Sequence, residues 1–143
     1  MTQVPLADRL FTWPSDDPAL IGSRCAVCSA LTFPVALGCP RCGADELADE
    51  LLPTRGTLWA WTSQGFLPKA PYSGPETDAD FTPWFIGSIE LGGELRIEAR
   101  LVGVTLDDIQ VDMPLELVLI PYGTNAAGED RLTFAFQPTD GDA

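Results

Sequence analysis

All four cysteines of the 143-residue chain lie in one short stretch, as two pairs that each enclose two residues, Cys25/Cys28 and Cys39/Cys42. The backbone turn within such a pair can direct both sulfurs to one ion, and two pairs complete a tetrahedral thiolate site. Gly43 follows the second pair, and glycine readily takes the positive φ angle that turns backbone N–H groups toward a thiolate. The spacing therefore predicts a metal site with these four cysteines as ligands.

Zinc is the favoured ion, and its predicted role is structural. Four thiolates close the coordination sphere, so no position remains for a substrate or an activated water. Iron, as in rubredoxin, would use the same four ligands, and ligand type alone leaves both metals open. Disulfide bonds are a further alternative, which we disfavour because the chain shows no secretory signal and cytosolic thiols stay reduced.

The rest of the sequence offers little for catalysis. It has no histidine, so a Ser–His or Cys–His nucleophile pair cannot form, and the four thiols are already assigned to metal. Adjacent acids such as Asp107/Asp108 are expected to be solvated surface residues. We therefore expect a chain that is not an enzyme by itself.

The net charge of −13 restricts the partners. An acidic surface repels phosphate backbones, which predicts that the chain does not bind nucleic acid. No apolar run approaches the ~20 residues of a membrane span, and the start of the chain lacks the pattern of a signal peptide. We expect a soluble cytoplasmic protein without a membrane partner.

Short apolar segments separated by 13 glycines and 13 prolines predict that a mainly β protein positions the site. Short strands at 19–24 and 31–35 would carry the cysteine pairs. The segment 45–52 fits either a helical turn or a strand.

The amino-terminal segment is predicted to form a short amphipathic helix, because Leu6/Leu10 and Ala7/Phe11 have i,i+4 spacing. The segment also carries Trp13. Such a helix either packs on its own domain or docks on a partner, and the sequence leaves the two alternatives open.

Five further strands are predicted toward the carboxyl terminus. They span 57–62, 84–91, 95–102, 115–120 and 132–136. Because no crossover helix separates them, they predict a small five-stranded antiparallel barrel. Within the first strand, Trp59 and Trp61 are two residues apart and are predicted to share one face.

The second and third of these strands form the clearest hairpin. In strand 95–102 apolar residues alternate with charged ones, so one face is expected to be buried and the other wet. A two-residue loop would place Leu91 opposite Glu94 and mix the faces, whereas a three-residue loop places Leu91 opposite Leu95. We predict the three-residue loop.

Residues 65–83 form the longest irregular stretch, with four prolines and the only lysine of the sequence, Lys69. Loops this long in compact domains are usually functional or disordered. Lys69 could meet a ligand phosphate, although exposed lysines are more often only solvated.

Taken in order, several of these motifs resemble one known family. The chain reads Arg24-Cys25-x-x-Cys28, Phe33-Pro34, Cys39-Pro40-x-Cys42-Gly43 and Arg55-Gly56-Thr57. This order is similar to that of the rubredoxin-like zinc-ribbon/OB-fold proteins that accompany thiolase-type enzymes, over roughly residues 10–138. Ser29 departs from the pattern, since many relatives carry glycine after the first pair.

Turn signals and this resemblance together predict four parts: a docking segment (1–18), a zinc ribbon (19–53), an OB-fold (54–138) and a disordered tail (139–143). The resemblance implies a non-catalytic subunit of a thiolase or thiolase-like acyl-CoA aldolase, in a heterotetramer that shares a CoA thioester with its partner. Several relatives serve steroid side-chain or aromatic acid degradation. The partner would supply the cysteine, histidine or tyrosine for C–C bond chemistry, which agrees with the missing histidine here.

Buried aromatic anchors dominate protein interfaces, so aromatic residues and the long loop are most expected to meet a partner or ligand. The candidates are Phe11, Trp13, Trp59, Trp61, Phe66, Lys69 and Tyr72. Two other functions stay open at this point. One is an OB-fold that stacks single-stranded nucleic acid on its aromatic rings, which the charge disfavours, and the other is a rubredoxin-like electron carrier.

Overall fold

The structure is a computed structural model that describes residues 2–70 and 76–139. Over these residues the chain forms nine strands and no helix, so this part of the chain holds no candidate membrane-spanning helix. The strands are β1 (Gln3–Pro5), β2 (Ile21–Cys25), β3 (Leu31–Thr32), β4 (Leu47–Leu51), β5 (Arg55–Gln64), β6 (Trp84–Leu91), β7 (Leu95–Leu101), β8 (Pro114–Thr124) and β9 (Asp130–Pro138). The predicted mainly β fold is confirmed.

A three-stranded antiparallel sheet carries the first cysteine pair. Its central strand is β2, which pairs with β3 on one side and with β4 on the other. The ambiguous segment 45–52 is thus a strand. β3 ends at Thr32, earlier than the predicted strand 31–35, because Pro34 has no N–H to donate to a ladder.

β5 to β9 close into a five-stranded barrel in the order β5-β6-β7-β9-β8, with β8 returning to β5. The prediction that the barrel is antiparallel throughout is wrong, because β7 and β9 run parallel through Arg100↔Ala135 and Leu101↔Phe136. Strand direction must alternate around an antiparallel ring, and a ring with an odd number of strands cannot alternate at every step. One parallel pair is therefore unavoidable.

The predicted amino-terminal helix is wrong. β1 instead pairs in parallel with the start of β9, and Leu6 donates its N–H to the Leu132 carbonyl at 2.7 Å. Farther along, Phe11 forms an isolated bridge with Leu20. Only two i,i+4 pairs supported a helix, and helices this short are marginal in water. The edge of β9 satisfies the backbone of this segment, so tertiary contacts override the local pattern.

The β6–β7 hairpin has the predicted register. Leu91 pairs with Leu95 across a three-residue loop. Gly92 and Gly93 take φ angles of 62° and 72°, which glycine adopts without steric cost. The apolar face of β7 consequently lines the barrel, and its charged face lies outside.

A β-bulge in β5 changes the placement of the two tryptophans. The register of β5 with β6 shifts between Leu58 and Ala60, which leaves Trp59 as the extra residue. A bulge reverses the alternation of faces beyond it. The prediction that Trp59 and Trp61 share a face is therefore wrong.

The two rings have different neighbours. Trp59 lies on the outer face, where the Arg96 guanidinium is 3.8 Å from the ring centroid. Trp61 is opposite Gly87, whose missing Cβ points into the barrel, and meets the ring of Phe85 edge-on at 5.7 Å.

One core serves both the ribbon and the barrel. Leu20 and Leu52 pack into the same buried cluster as Phe136 of β9. Phe33, between the two cysteine pairs, meets Phe134 edge-to-face at 5.5 Å. The ribbon is thus held directly against the barrel.

Candidate metal centre

Two backbone turns bring the four cysteine sulfurs together. The four Sγ atoms lie within 4.8 Å of one another, with 3.7 Å between Cys25 and Cys42 and 3.6 Å between Cys28 and Cys39. A zinc ion bound tetrahedrally at about 2.3 Å from each sulfur requires S···S distances of about 3.8 Å. A disulfide bond would need about 2.05 Å. The observed distances therefore fit a metal ion.

The two turns are built alike. Ser29 donates its N–H to the Cys25 carbonyl at 3.0 Å, and Gly43 donates its N–H to the Cys39 carbonyl at 2.9 Å. Both take positive φ angles, 65° for Ser29 and 79° for Gly43. A positive φ angle costs serine more energy than glycine. The first turn nevertheless forms, with the same hydrogen bond as the second.

Backbone N–H groups of the turns point at the sulfurs. Val27 donates to the Cys25 sulfur at 3.4 Å, and Arg41 donates to the Cys39 sulfur at 3.4 Å. Hydrogen bonds from the backbone of Cys42 and then of Arg41 lower the pKa of the Cys39 thiol to about 6. These amides favour the thiolate form, which is the form that binds metal.

The Cys42 thiol shows why a cation would stabilise the cluster. The Ala44 backbone lowers its pKa, but loss of solvent and the neighbouring sulfurs outweigh this and raise the pKa of the Cys42 thiol to about 12. Four negative sulfurs in so small a volume repel one another, and a divalent ion at their centre offsets this repulsion. The donor set thus fits zinc, which when bound supplies a structural crosslink between the two turns.

Two family descriptions match the sequence in succession. Residues 13–48 match "ChsH2, rubredoxin-like zinc ribbon domain", and residues 49–119 match "ChsH2, C-terminal OB-fold domain". Together the matches cover about three quarters of the chain. The chain belongs to the ChsH2 family. The resemblance to zinc-ribbon/OB-fold proteins inferred from the motifs is thereby confirmed.

Two further proteins are similar to this ChsH2-family chain. A probable enoyl-CoA hydratase alpha subunit of Thermomonospora curvata is 26% identical over 98 residues, which are 68% of this chain and 28% of that protein. The chain thus spans little more than a quarter of the length of this relative. A solved Ltp2–ChsH2(DUF35) aldolase has a TM-score of 0.61 at 23% identity, with 84% of each chain covered, and this likeness shows a shared fold.

The structure places Phe11 in the core and packs Trp13 against it. Phe11 is 3% exposed, and Trp13 is half-buried with its ring edge-on to Phe11 at 6.4 Å. Phe11 is therefore a core residue of the ChsH2-family chain and not part of its surface.

The remaining candidates are dispersed. Trp59 and Trp61 lie on opposite faces of β5 and are 49% and 37% exposed. Phe66, just past the end of β5, is 69% exposed, and Lys69 is exposed in the long loop. Tyr72 lies outside the described residues.

The sequence interpretation missed a cavity at the junction of ribbon and barrel. Its volume is about 430 Å³. Its lining comprises Pro53, Arg55, Gly56, Thr57, Glu90, Gly92, Gly93, Pro114, Leu115 and Thr139. These residues come from four regions of the chain, 53–57, 90–93, 114–115 and 139, so no local motif predicts the cavity.

Arg24 was also missed as a site residue. It binds Glu50 and Glu94, which are 26 and 70 positions away along the chain. The only local signal was its position directly before Cys25.

Proposed function

We propose that this chain is the non-catalytic, zinc-binding OB-fold subunit of a thiolase-like acyl-CoA complex, either an aldolase or a thiolase. The observation that carries the proposal is a closed set of four thiolates beside a barrel, in a chain without histidine. Such a chain has a structural role, because it offers neither a nucleophile–base pair nor an open coordination position on the metal. Its partner would perform the C–C bond chemistry.

The names of the similar proteins support this choice of complex. The solved structure is an Ltp2–ChsH2 aldolase, and the curated relative is named as a subunit of an enoyl-CoA enzyme. We propose a heterotetramer in which this chain and its partner share a CoA thioester, with a bulky acyl group such as a steroid side chain as substrate.

The outer face around Trp59 is the proposed contact with the partner. Trp59 is half exposed, and the Arg96 guanidinium covers one side of its ring. Tryptophan and arginine are the residues that most often dominate binding energy at interfaces. The stacked cation also holds the ring in place, so little side-chain freedom is lost on binding.

The connection between β7 and β8 meets β5 at the residue next to Trp59. Asp112 donates its N–H to the Leu58 carbonyl at 2.7 Å, and Leu58 donates its N–H to the Met113 carbonyl at 3.0 Å, so Asp112 and Met113 both lie opposite the residue before Trp59. In the same connection Leu106 and Val111 are 68% and 56% exposed. We propose that these two side chains form one contact surface with Trp59, and the three residues are called the barrel-face patch below.

The surroundings of the barrel-face patch are acidic. The β7–β8 connection, residues 102–113, includes three aspartates and no lysine or arginine, whereas Arg96 lies over Trp59 itself. A complementary partner surface would be apolar at its centre and basic at its rim. Association is then expected to weaken as salt is added.

Trp59→Ala is expected to weaken binding to the partner about 100-fold, since truncating a central aromatic anchor is the costliest change at an interface. Calorimetric titration against the purified partner would measure this. The matched control is Leu37→Ser, which removes a 94% exposed apolar side chain from the ribbon. If Leu37→Ser weakens binding and Trp59→Ala does not, the contact lies on the ribbon and the barrel-face patch is wrong.

Co-expression tests the proposed function itself. The thiolase-like partner is expected to be insoluble or weakly active alone and to become active when co-purified with this chain, which alone should cleave no acyl-CoA. A partner that is fully soluble and active alone would refute the accessory role.

A hydratase partner is the second candidate, favoured by the name of the curated relative. The co-purified complex would therefore be assayed both for hydration of an enoyl-CoA and for C–C bond cleavage of a β-hydroxyacyl-CoA. Hydration alone would select the second candidate.

A further inference from the structure

Arg24 uses every N–H of its guanidinium in contacts within the protein. Nε and Nη2 donate to the two carboxylate oxygens of Glu50 at 3.1 and 2.6 Å. Nη1 and Nη2 donate to those of Glu94 at 2.7 and 3.0 Å. Nη1 also donates to the Ser29 carbonyl at 2.9 Å. A guanidinium has five N–H groups, so all of them are engaged.

The three acceptors belong to three different parts of the molecule. Ser29 closes the first cysteine turn, Glu50 lies in β4, and Glu94 is the last residue of the β6–β7 loop. Arg24 itself directly precedes the ligand Cys25. A single side chain therefore connects the ligand turn, the ribbon sheet and the barrel.

The contacts are ionic at neutral pH. Hydrogen bonds from Arg24 lower the pKa of both the Glu50 and the Glu94 carboxyl groups, so both stay charged well below pH 7. Two-pronged pairs between a guanidinium and a carboxylate also restrict direction, which single ion pairs do not.

The β6–β7 loop takes part in these contacts through a single side chain. Gly92 and Gly93 carry no side chains, and a Cβ at Gly93 would meet nothing within 4 Å. Glu94 is thus the one side chain by which the three-residue loop can be anchored. The same loop forms part of the wall of the junction cavity, together with Pro53.

We propose that Arg24 is a positioning residue that couples the metal in the ribbon to the β6–β7 loop and the junction cavity. A bound ion fixes the turn from Cys25 to Ser29, which holds the Ser29 carbonyl in reach of Nη1 and aligns the guanidinium toward Glu94. Energetic coupling is reciprocal, so weakening the contact at Glu94 lowers the affinity of the first cysteine turn for the metal. The proposal does not depend on the partner enzyme.

Glu94→Gln in the zinc-loaded full chain tests this coupling, because it removes the charge and keeps the size of the side chain. The matched control is Glu98→Gln, on the outer face of β7, where Arg24 has no contact. Zinc release to a chromophoric chelator is expected to be about 10-fold faster in Glu94→Gln and unchanged in Glu98→Gln, as for other residues that support metal ligands.

Hydrogen–deuterium exchange supplies a second readout on the same zinc-loaded proteins. Amides of residues 25–30 are expected to exchange about 5- to 10-fold faster in Glu94→Gln than in the control, although the substitution is in another part of the fold. Unchanged zinc release, equal acceleration in both variants, or faster exchange confined to residues 91–95 would each overturn the coupling.

Discussion

Cys39→Ser is expected to abolish tight zinc binding, with an affinity loss on the order of 1,000-fold. The Cys39 sulfur lies 3.6 Å from that of Cys28 and belongs to a buried residue. A serine hydroxyl stays protonated and is a poor zinc ligand, so three thiolates would remain around an open position. Because the ribbon has few buried side chains of its own, its order should be lost with the metal, and partner binding with it.

Elemental analysis of the purified protein and competition with a chelator would measure the loss. The matched control is Val27→Ser in the first cysteine turn, where the side chain is 63% exposed and is not a ligand. This variant should keep one zinc ion per chain. A Cys39→Ser protein that lacked zinc and still formed a fully active complex would refute the structural role of the metal.

The metal centre was predictable because its information is local. Two residues between paired cysteines determine a turn, and Gly43 has the φ angle of 79° that this turn requires. The β6–β7 register was predictable for a similar reason, since only one loop length keeps Leu91 and Leu95 on the same face.

The misplaced elements depend on contacts that are distant in sequence. The amino-terminal segment has helical spacing, but β9, more than 100 residues later, provides an edge to which β1 adds. The faces of β5 on which Trp59 and Trp61 lie depend on a bulge that the sequence of β5 does not predict. Arg24 could not be assigned because its acceptors come from three separate segments.

Gly56→Ala is expected to destabilise the protein by about 3 kcal/mol, at the upper end of the range for overpacking. A Cβ at this position would collide with the Glu90 carbonyl oxygen and would lie 2.8 Å from Leu91 Cδ2 and 2.9 Å from Ile89 Cγ2. A backbone oxygen in a paired strand cannot move aside as a flexible side chain can. Glycine in the Arg-Gly-Thr motif is therefore required by the closeness of β5 to β6.

Urea unfolding of the zinc-loaded protein would measure this effect, with a midpoint lowered by about 1.5 M for a slope near 2 kcal/mol per molar urea. The matched control is Gly65→Ala just past the end of β5, where a Cβ would meet nothing within 4 Å. Its unfolding free energy should change by less than about 0.5 kcal/mol. Equal stability of the two variants would mean that β5 and β6 are farther apart than described. Gly56 also lines the junction cavity. If Gly56→Ala is destabilised as expected, glycine is required at this position in the cavity wall.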